Sequence, residues 1–258
     1  MIIRKSPTEI ETMAQAGRVV VDTLALVGEH LRPGVTTAEL DQIADDFIRS
    51  QGGTSSFKGY RGYPAAICTS PNDMVVHGIP SGRGLSEGDI LSVDVGVIRD
   101  GFVADSAYTF AVGEISPEAA RLLEACKAAL AAGIAQCRPG NHLSDVSHAI
   151  QTTTEEAGFA VVRSLVGHGI GRAMHEDPQI PNYGAPGRGP ELAPGMTFAI
   201  EPMINAGGAE IYLHDDNWSI STEDGSLSAH FEHTVAITEE GPRILTASEK
   251  AAGALLLP

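Results

Sequence analysis

Two aspartates stand where a short hairpin would bring their carboxylates together. In the run ILSVDVGV at 90–97, Leu91, Val93, Val95 and Val97 alternate with Ser92, Asp94 and Gly96, the period-2 pattern of a strand with one apolar face and one small, polar face. Asp100-Gly101 is a strong two-residue hairpin turn, so Arg99 pairs with Phe102 and, counting back, Asp94 with Ala107. Asp105 then shares a face with Ala107 and Asp94, a diagonal cross-strand neighbour whose Cβ is about 7 Å or less from that of Asp94. Carboxylates so placed repel unless a cation joins them or one takes up a proton.

The same logic recurs downstream. In TFAIEPM, Phe198 and Ile200 alternate with Thr197, Ala199 and Glu201; in HFEHTVAI, Phe231, His233, Val235 and Ile237 alternate with Glu232, Thr234 and Ala236. Both glutamates take the less greasy face. Gly167-His168-Gly169-Ile170-Gly171 adds an imidazole on a glycine-flanked segment, where little bulk obstructs an approaching ion or substrate. Any one of these acids alone reads best as a solvated or salt-bridged surface group. Four carboxylates in repeated pairs with one imidazole suit two divalent ions about 3.5–4 Å apart that share carboxylates. No cysteine adjoins them, which argues against a soft thiolate site.

The elements that must position these groups also come in two sets. LSEGDILSVDVG at 85–96 is echoed by LAPGMTFAIEPM at 192–203, with Glu201 in the place of Asp94. Ser6-Pro7-Thr8-Glu9 and Ser116-Pro117-Glu118 each open a long helical pattern with a Ser N-cap and Pro at the first helical position, and Glu9 can close a capping box on Ser6. Leu31-Arg32-Pro33-Gly34 and Cys137-Arg138-Pro139-Gly140 end them, and shorter helical patterns follow at 36–50 and 143–157. The expected organisation is one catalytic α/β domain over residues 1–258, built from an N-terminal half at about 6–112 and a C-terminal half at about 116–245.

Composition bounds the function. With 33 Asp and Glu against 17 Lys and Arg, the net charge of −16 argues against a nucleic-acid surface and an anionic membrane, and favours cations such as metal ions or a peptide ammonium. No apolar run approaches membrane-spanning length, and MIIRKSPTE turns polar too early for a signal peptide, so a cytoplasmic protein is expected. The three cysteines fit that compartment: Cys126 and Cys137, read as lying on one helix, would be roughly 16 Å apart and unable to pair.

Val76-His77-Gly78-Ile79-Pro80, the Asp94 and Asp105 pair, GHGIGRAMHEDP at 167–178, AIEPM at 199–203 and FEHTVAIT at 231–238 together resemble a bacterial-type (type I) methionine aminopeptidase, over nearly the whole chain. The resemblance implies the pita-bread fold: two halves related by a pseudo-twofold axis, with a curved, mostly antiparallel sheet backed by helices. It implies Asp94, Asp105, His168, Glu201 and Glu232 as ligands of two divalent ions (cobalt, manganese, iron, zinc or nickel), with Asp105 and Glu232 bridging. An activated hydroxide would then attack the first peptide bond, removing an N-terminal methionine that precedes a small second residue. Glu201 is implied as the proton shuttle, His175 as donor to the oxyanion, and His77 as a contact to the substrate backbone. The methionine slot would draw on Tyr60, Tyr63, Cys68, Phe198 and Trp218 with His77 and His175. Implied partners are the N-termini of nascent polypeptides at the ribosome, met by a monomer, with no nucleic-acid or membrane contact.

Departures from the family pattern gather in that slot, where Phe57 stands for a small thiol, Met174 for an aromatic ring and Leu165 for another aromatic. X-Pro peptidases share the carboxylate set but carry an extra N-terminal domain, whereas the first helix here opens at Ser6. A metal-free binding protein on the same fold is the alternative from outside the enzymes, and the complete ligand set weighs against it. The eukaryotic-type (type II) enzyme has a helical insertion between its last two glutamate motifs, for which the span from Glu201 to Glu232 leaves no room.

Overall fold

The computed structural model describes residues 1–247; residues 248–258 of the expected domain lie outside the described residues. Helix α1 (Pro7–His30) starts as its sequence dictates: the Ser6 side chain accepts from Glu9 N while the Glu9 carboxylate accepts from Ser6 N. Its buried Met13, Val20, Leu24 and Val27 recur at helical spacing and form one stripe. Thr36 and Glu39 repeat the capping box at α2 (Thr37–Ser50). Five strands follow: β1 (Thr54–Ser55), β2 (Cys68–Pro71), β3 (Met74–Val76), β4 (Ile90–Arg99) and β5 (Phe102–Ala111).

Ser116 caps α3 (Pro117–Ala135), and α4 (Leu143–Glu156) comes next. The α3 helix stops short of Cys137, which lies past its C-cap Gln136, so Cys126 and Cys137 do not share a helix; both are buried free thiols. The remaining strands are β6 (Ala160–Val161), β7 (Val166–Gly169), β8 (Glu176–Pro181), β9 (Thr197–Ile200), β10 (Met203–Asn205), β11 (Ile211–Leu213), β12 (Ile220–Thr222), β13 (Ser228–His230), β14 (His233–Thr238) and β15 (Gly241–Ile244).

Two sheets carry the architecture. One joins β1, β4 and β2 in that order with β5 on β4; the other runs β15-β14-β9-β7-β8, and every pairing in both is antiparallel. The apolar face of the first, Leu91, Val93, Val95 and Val97, packs under Val20, Leu24 and Val27 of α1 and Leu40 of α2. The apolar face of the second, Phe198, Ile200 and Val235, packs under Leu122, Cys126 and Leu130 of α3 and Val146 and Ile150 of α4. Each such large side chain gains roughly 1.5–3 kcal/mol on burial. Helices therefore cover one face of each sheet and leave the other for polar work.

The two sheets meet where β5 runs beside β14. Glu232 N donates to Ala107 O at 2.9 Å. Thr234 Oγ1 accepts from Asp105 N at 2.9 Å and donates to Asp105 O at 2.8 Å, so one buried hydroxyl satisfies both backbone groups of Asp105. Ser106 Oγ donates to Glu232 O. Among the described residues no helix is long and apolar enough to cross a membrane.

Candidate metal centre and substrate pocket

The β4 and β5 ladder has the register read from the turn: Arg99 opposite Phe102, Asp94 opposite Ala107, and Gly96 opposite Asp105. Asp94 and Asp105 lie diagonally on the face turned away from α1, within hydrogen-bonding reach of each other. A Cβ at Gly96 would sit 2.1 Å from Ser56 Oγ, so glycine is required beside them. In the second sheet His168 pairs with Ala199, and His233 pairs with Ile200 at the end of the β9 and β14 ladder. One step beyond that pair, Glu201 and Glu232 leave the regular strands together.

Donor atoms of Asp105, His168 and Glu232 all lie within 4.8 Å of one another. His168 Nε2 is 3.5 Å from Glu201 Oε1. Asp105 and Glu232 are only 3% and 2% exposed, so four carboxylates share a nearly dry space. Burial pushes the Asp94 carboxyl up to about 7. Burial first, and then the neighbouring carboxylates, push Asp105, Glu201 and Glu232 well above the usual range. Burial, followed by His175, lowers His168 to about 4, so its imidazole is neutral. His168 Nδ1 lies 2.9 Å from Gly169 O and must donate there, which leaves the Nε2 lone pair facing the acids.

This arrangement fits divalent cations. Asp94 Oδ1, Asp105 Oδ1 and Glu232 Oε1 are buried with no hydrogen-bond partner in the protein. Leaving them bare would cost several kcal/mol, and hard oxygen donors with one imidazole are what such ions take. Sequence reasoning missed His230, whose buried Nε2 also has no hydrogen-bond partner and lies 3.9 Å from Glu232 Oε2. Its one signal is its place two residues before Glu232, which sets both on one face of extended backbone.

A cavity of about 300 Å³ opens onto these acids, and Tyr60, Tyr63, Cys68, His77, His175 and Trp218 line it. Phe57, Leu165 and Met174, the three departures, line it too. Tyr63 and Trp218 meet edge to face at 5.1 Å, and the His77 ring stands 6.3 Å from the Trp218 ring. Burial, followed by His175, holds His77 neutral at about 4. The Tyr60 hydroxyl is 2.8 Å from His175 Nδ1, and the His175 ring lies 4.2 Å from that of His168.

A second group that sequence reasoning passed over is Glu176. It accepts from Arg172 N at 2.8 Å and Ala173 N at 3.3 Å and forms a buried ion pair with Lys5, fixing the segment that carries His175. Phe198 is a correction. It does not line the cavity but is fully buried against α3 and α4, because it alternates with Ala199 and Glu201 and so points to the opposite face of β9.

Comparison with known proteins agrees with this geometry. The model of metallopeptidase family M24 matches residues 11–239. A methionine aminopeptidase of Clostridium acetobutylicum is 54% identical over 96% of this chain and all of that protein. Methionine aminopeptidase 1 of Bacillus subtilis is 52% identical over 95% of this chain and 99% of that protein. The crystal structure of the methionine aminopeptidase of Rickettsia prowazekii superposes with a TM-score of 0.95 at 41% identity, covering 96% of this chain and 100% of that one. Since the matched stretch takes in the first sheet, all of the second but its edge strand β15, and every carboxylate gathered between them, the chain belongs to metallopeptidase family M24.

Proposed function

We propose that the protein is a methionyl aminopeptidase: it hydrolyses the first peptide bond of a polypeptide that begins with methionine and continues with a small residue. The observation that carries this reading is a dry cluster of four carboxylates and one neutral imidazole at the floor of a cavity walled by Tyr63, Cys68 and Trp218. That volume is at the small end of ligand sites, which run to roughly 1,000 Å³, and suits one side chain with its peptide group. The nascent chain at the ribosome, in the cytoplasm, is the substrate we infer, and a monomer the working unit.

Asp94, Asp105, His168, Glu201 and Glu232 would hold two divalent ions, with Asp105 and Glu232 shared. Such ions supply Lewis acidity at the scissile carbonyl and an acidified water as nucleophile. The protein's own groups do the rest. Glu201, ionised beside the cations and with its proton affinity raised by burial, takes the proton from water and returns it to the leaving amine. With Tyr60 donating to Nδ1, His175 presents Nε2–H to the developing oxyanion. His77 faces the peptide beside the cleaved bond. The free, neutral amine of the substrate would be held at one of the ions, which makes the enzyme an exopeptidase. The Tyr60 and His175 pair walls the path of the second residue and suits a small side chain.

The test is hydrolysis of Met-Ala-Ser. The chelated protein should be inactive and regain turnover with cobalt, manganese or iron. No turnover after reconstitution, or turnover of X-Pro peptides alone, would overturn the reading.

A further inference from the structure

One cation stands at the cavity without a part in the reaction above. Arg61 is the only Arg or Lys among the residues lining it, and it is exposed where the floor is buried. It sits on the short turn Tyr60–Gly62 with φ of 48°, between Gly59 at 87° and Gly62 at 91°. Backbone bonds pin this turn, Gly59 N to Tyr63 O at 2.8 Å and Tyr63 N to Tyr60 O at 2.9 Å. The Arg61 guanidinium lies 5.3 Å from the centre of the Tyr60 ring, and Tyr60 bonds His175, so the charge is held on the His175 side of the mouth. After burial, the charge on Arg61 is what lowers His175, a sign of their proximity.

Acids outnumber bases 33 to 17, yet among the described residues no carboxylate forms an ion pair with Arg61. Its ring contact with Tyr60 leaves the guanidinium edge, the part that binds carboxylates, uncommitted. A substrate whose free amine reaches the acid-lined floor and whose first side chain fills the slot would lead the rest of its chain out past this turn.

We propose that Arg61 is a specificity-determining residue: it pairs with a carboxylate that the substrate carries just downstream of its second residue, so that peptides with Asp or Glu in third place are favoured. This rests on the aminopeptidase reading. The surrounding protein is strongly anionic and repels acidic peptides at long range, so a local cation at the exit is what admits them. The C-terminal carboxylate of a tripeptide offers the same chemistry, so amidated peptides are needed to separate the two sources.

The experiment compares kcat/KM of the metal-loaded wild-type enzyme for Met-Ala-Asp-amide and Met-Ala-Asn-amide, with Met-Ala-Ser and Met-Ala-Ser-amide as the terminal-carboxylate arm. A preference of about three- to fivefold for the acidic member of each pair is expected at low salt, shrinking as salt rises. In Arg61→Asn, which tolerates the left-handed backbone, the ratio should fall to about one; Arg61→Lys should retain part of it. A wild-type ratio near one, or a ratio unchanged in Arg61→Asn, would overturn the proposal. So would a preference confined to the free C-terminus. Absence of turnover on all four peptides removes the aminopeptidase reading and this inference together, whereas turnover without acid preference removes this inference alone.

Discussion

The two main sheets deliver their acids by different means. Asp94 and Asp105 lie inside an unbroken hairpin of two ten-residue strands, Asp94 with ladder partners on both sides and Asp105 paired with Gly96 on one side and clasped by the Thr234 hydroxyl on the other. Glu201 and Glu232 lie one step beyond the ends of β9 and β14, where regular pairing has stopped. Short carboxylates thus ride on rigid backbone, and longer ones reach in from where the strands give out. The difference teaches that the hairpin fixes geometry while the second sheet supplies adjustable groups, including the one assigned to proton transfer.

The largest expected effect tests that division of labour. Glu201→Gln should lower kcat by roughly 10²–10⁴-fold, because it removes the proposed proton carrier, while its circular dichroism stays native. Asp94→Asn, assayed with metal in excess, should lose less. Equal losses would break the contrast between a scaffolding hairpin and a working second sheet.

Next in size is the buried face of the second sheet. Phe198→Ala should destabilise the protein by about 3–5 kcal/mol in denaturant unfolding, with the Met-to-Leu selectivity of the remaining activity unaltered. A shifted selectivity would return Phe198 to the pocket and undo the separation between the two faces of β9.

At the seam between the regions, Thr234→Val leaves both the N–H and the C=O of Asp105 without their buried partner. A loss of about 1–3 kcal/mol is expected, together with weaker metal binding by calorimetry. Unchanged metal affinity would show that the hairpin holds Asp105 without help from β14.

The smallest effect is on pH. Each of the four buried carboxyls has a folded-state pKa above its unfolded value, so folding favours the protonated forms. That stability is full below the unfolded carboxylate range and is lost as pH rises toward about 7, the folded value for Asp94. The melting temperature of the metal-free protein should therefore fall by a few degrees between mildly acidic and neutral pH, and Asp94→Asn should flatten that fall. A melting temperature that rises with pH would contradict the crowding of acids.

Much of this was legible in the chain because it is local. Ser6 with Glu9 and Thr36 with Glu39 announce helix starts through a hydrogen bond spanning three residues, and Asp100-Gly101 fixes a hairpin register that in turn places Asp94 and Asp105 on one face. The mirrored motifs and the resemblance they carry supplied the remaining candidate ligands.

Period-2 alternation likewise sets Phe198 against Glu201, so the error over Phe198 came from resemblance, not from the residues themselves. What alternation cannot encode is which strand edges meet. That Thr234 clasps Asp105, that His230 faces Glu232, that Glu176 with Lys5 anchors the His175 segment, and that Arg61 stands at the exit are contacts between residues remote in sequence, most of them from different elements. Packing of the two helix-backed sheets brings them together, and that free energy is spread over the whole core rather than written at any one position.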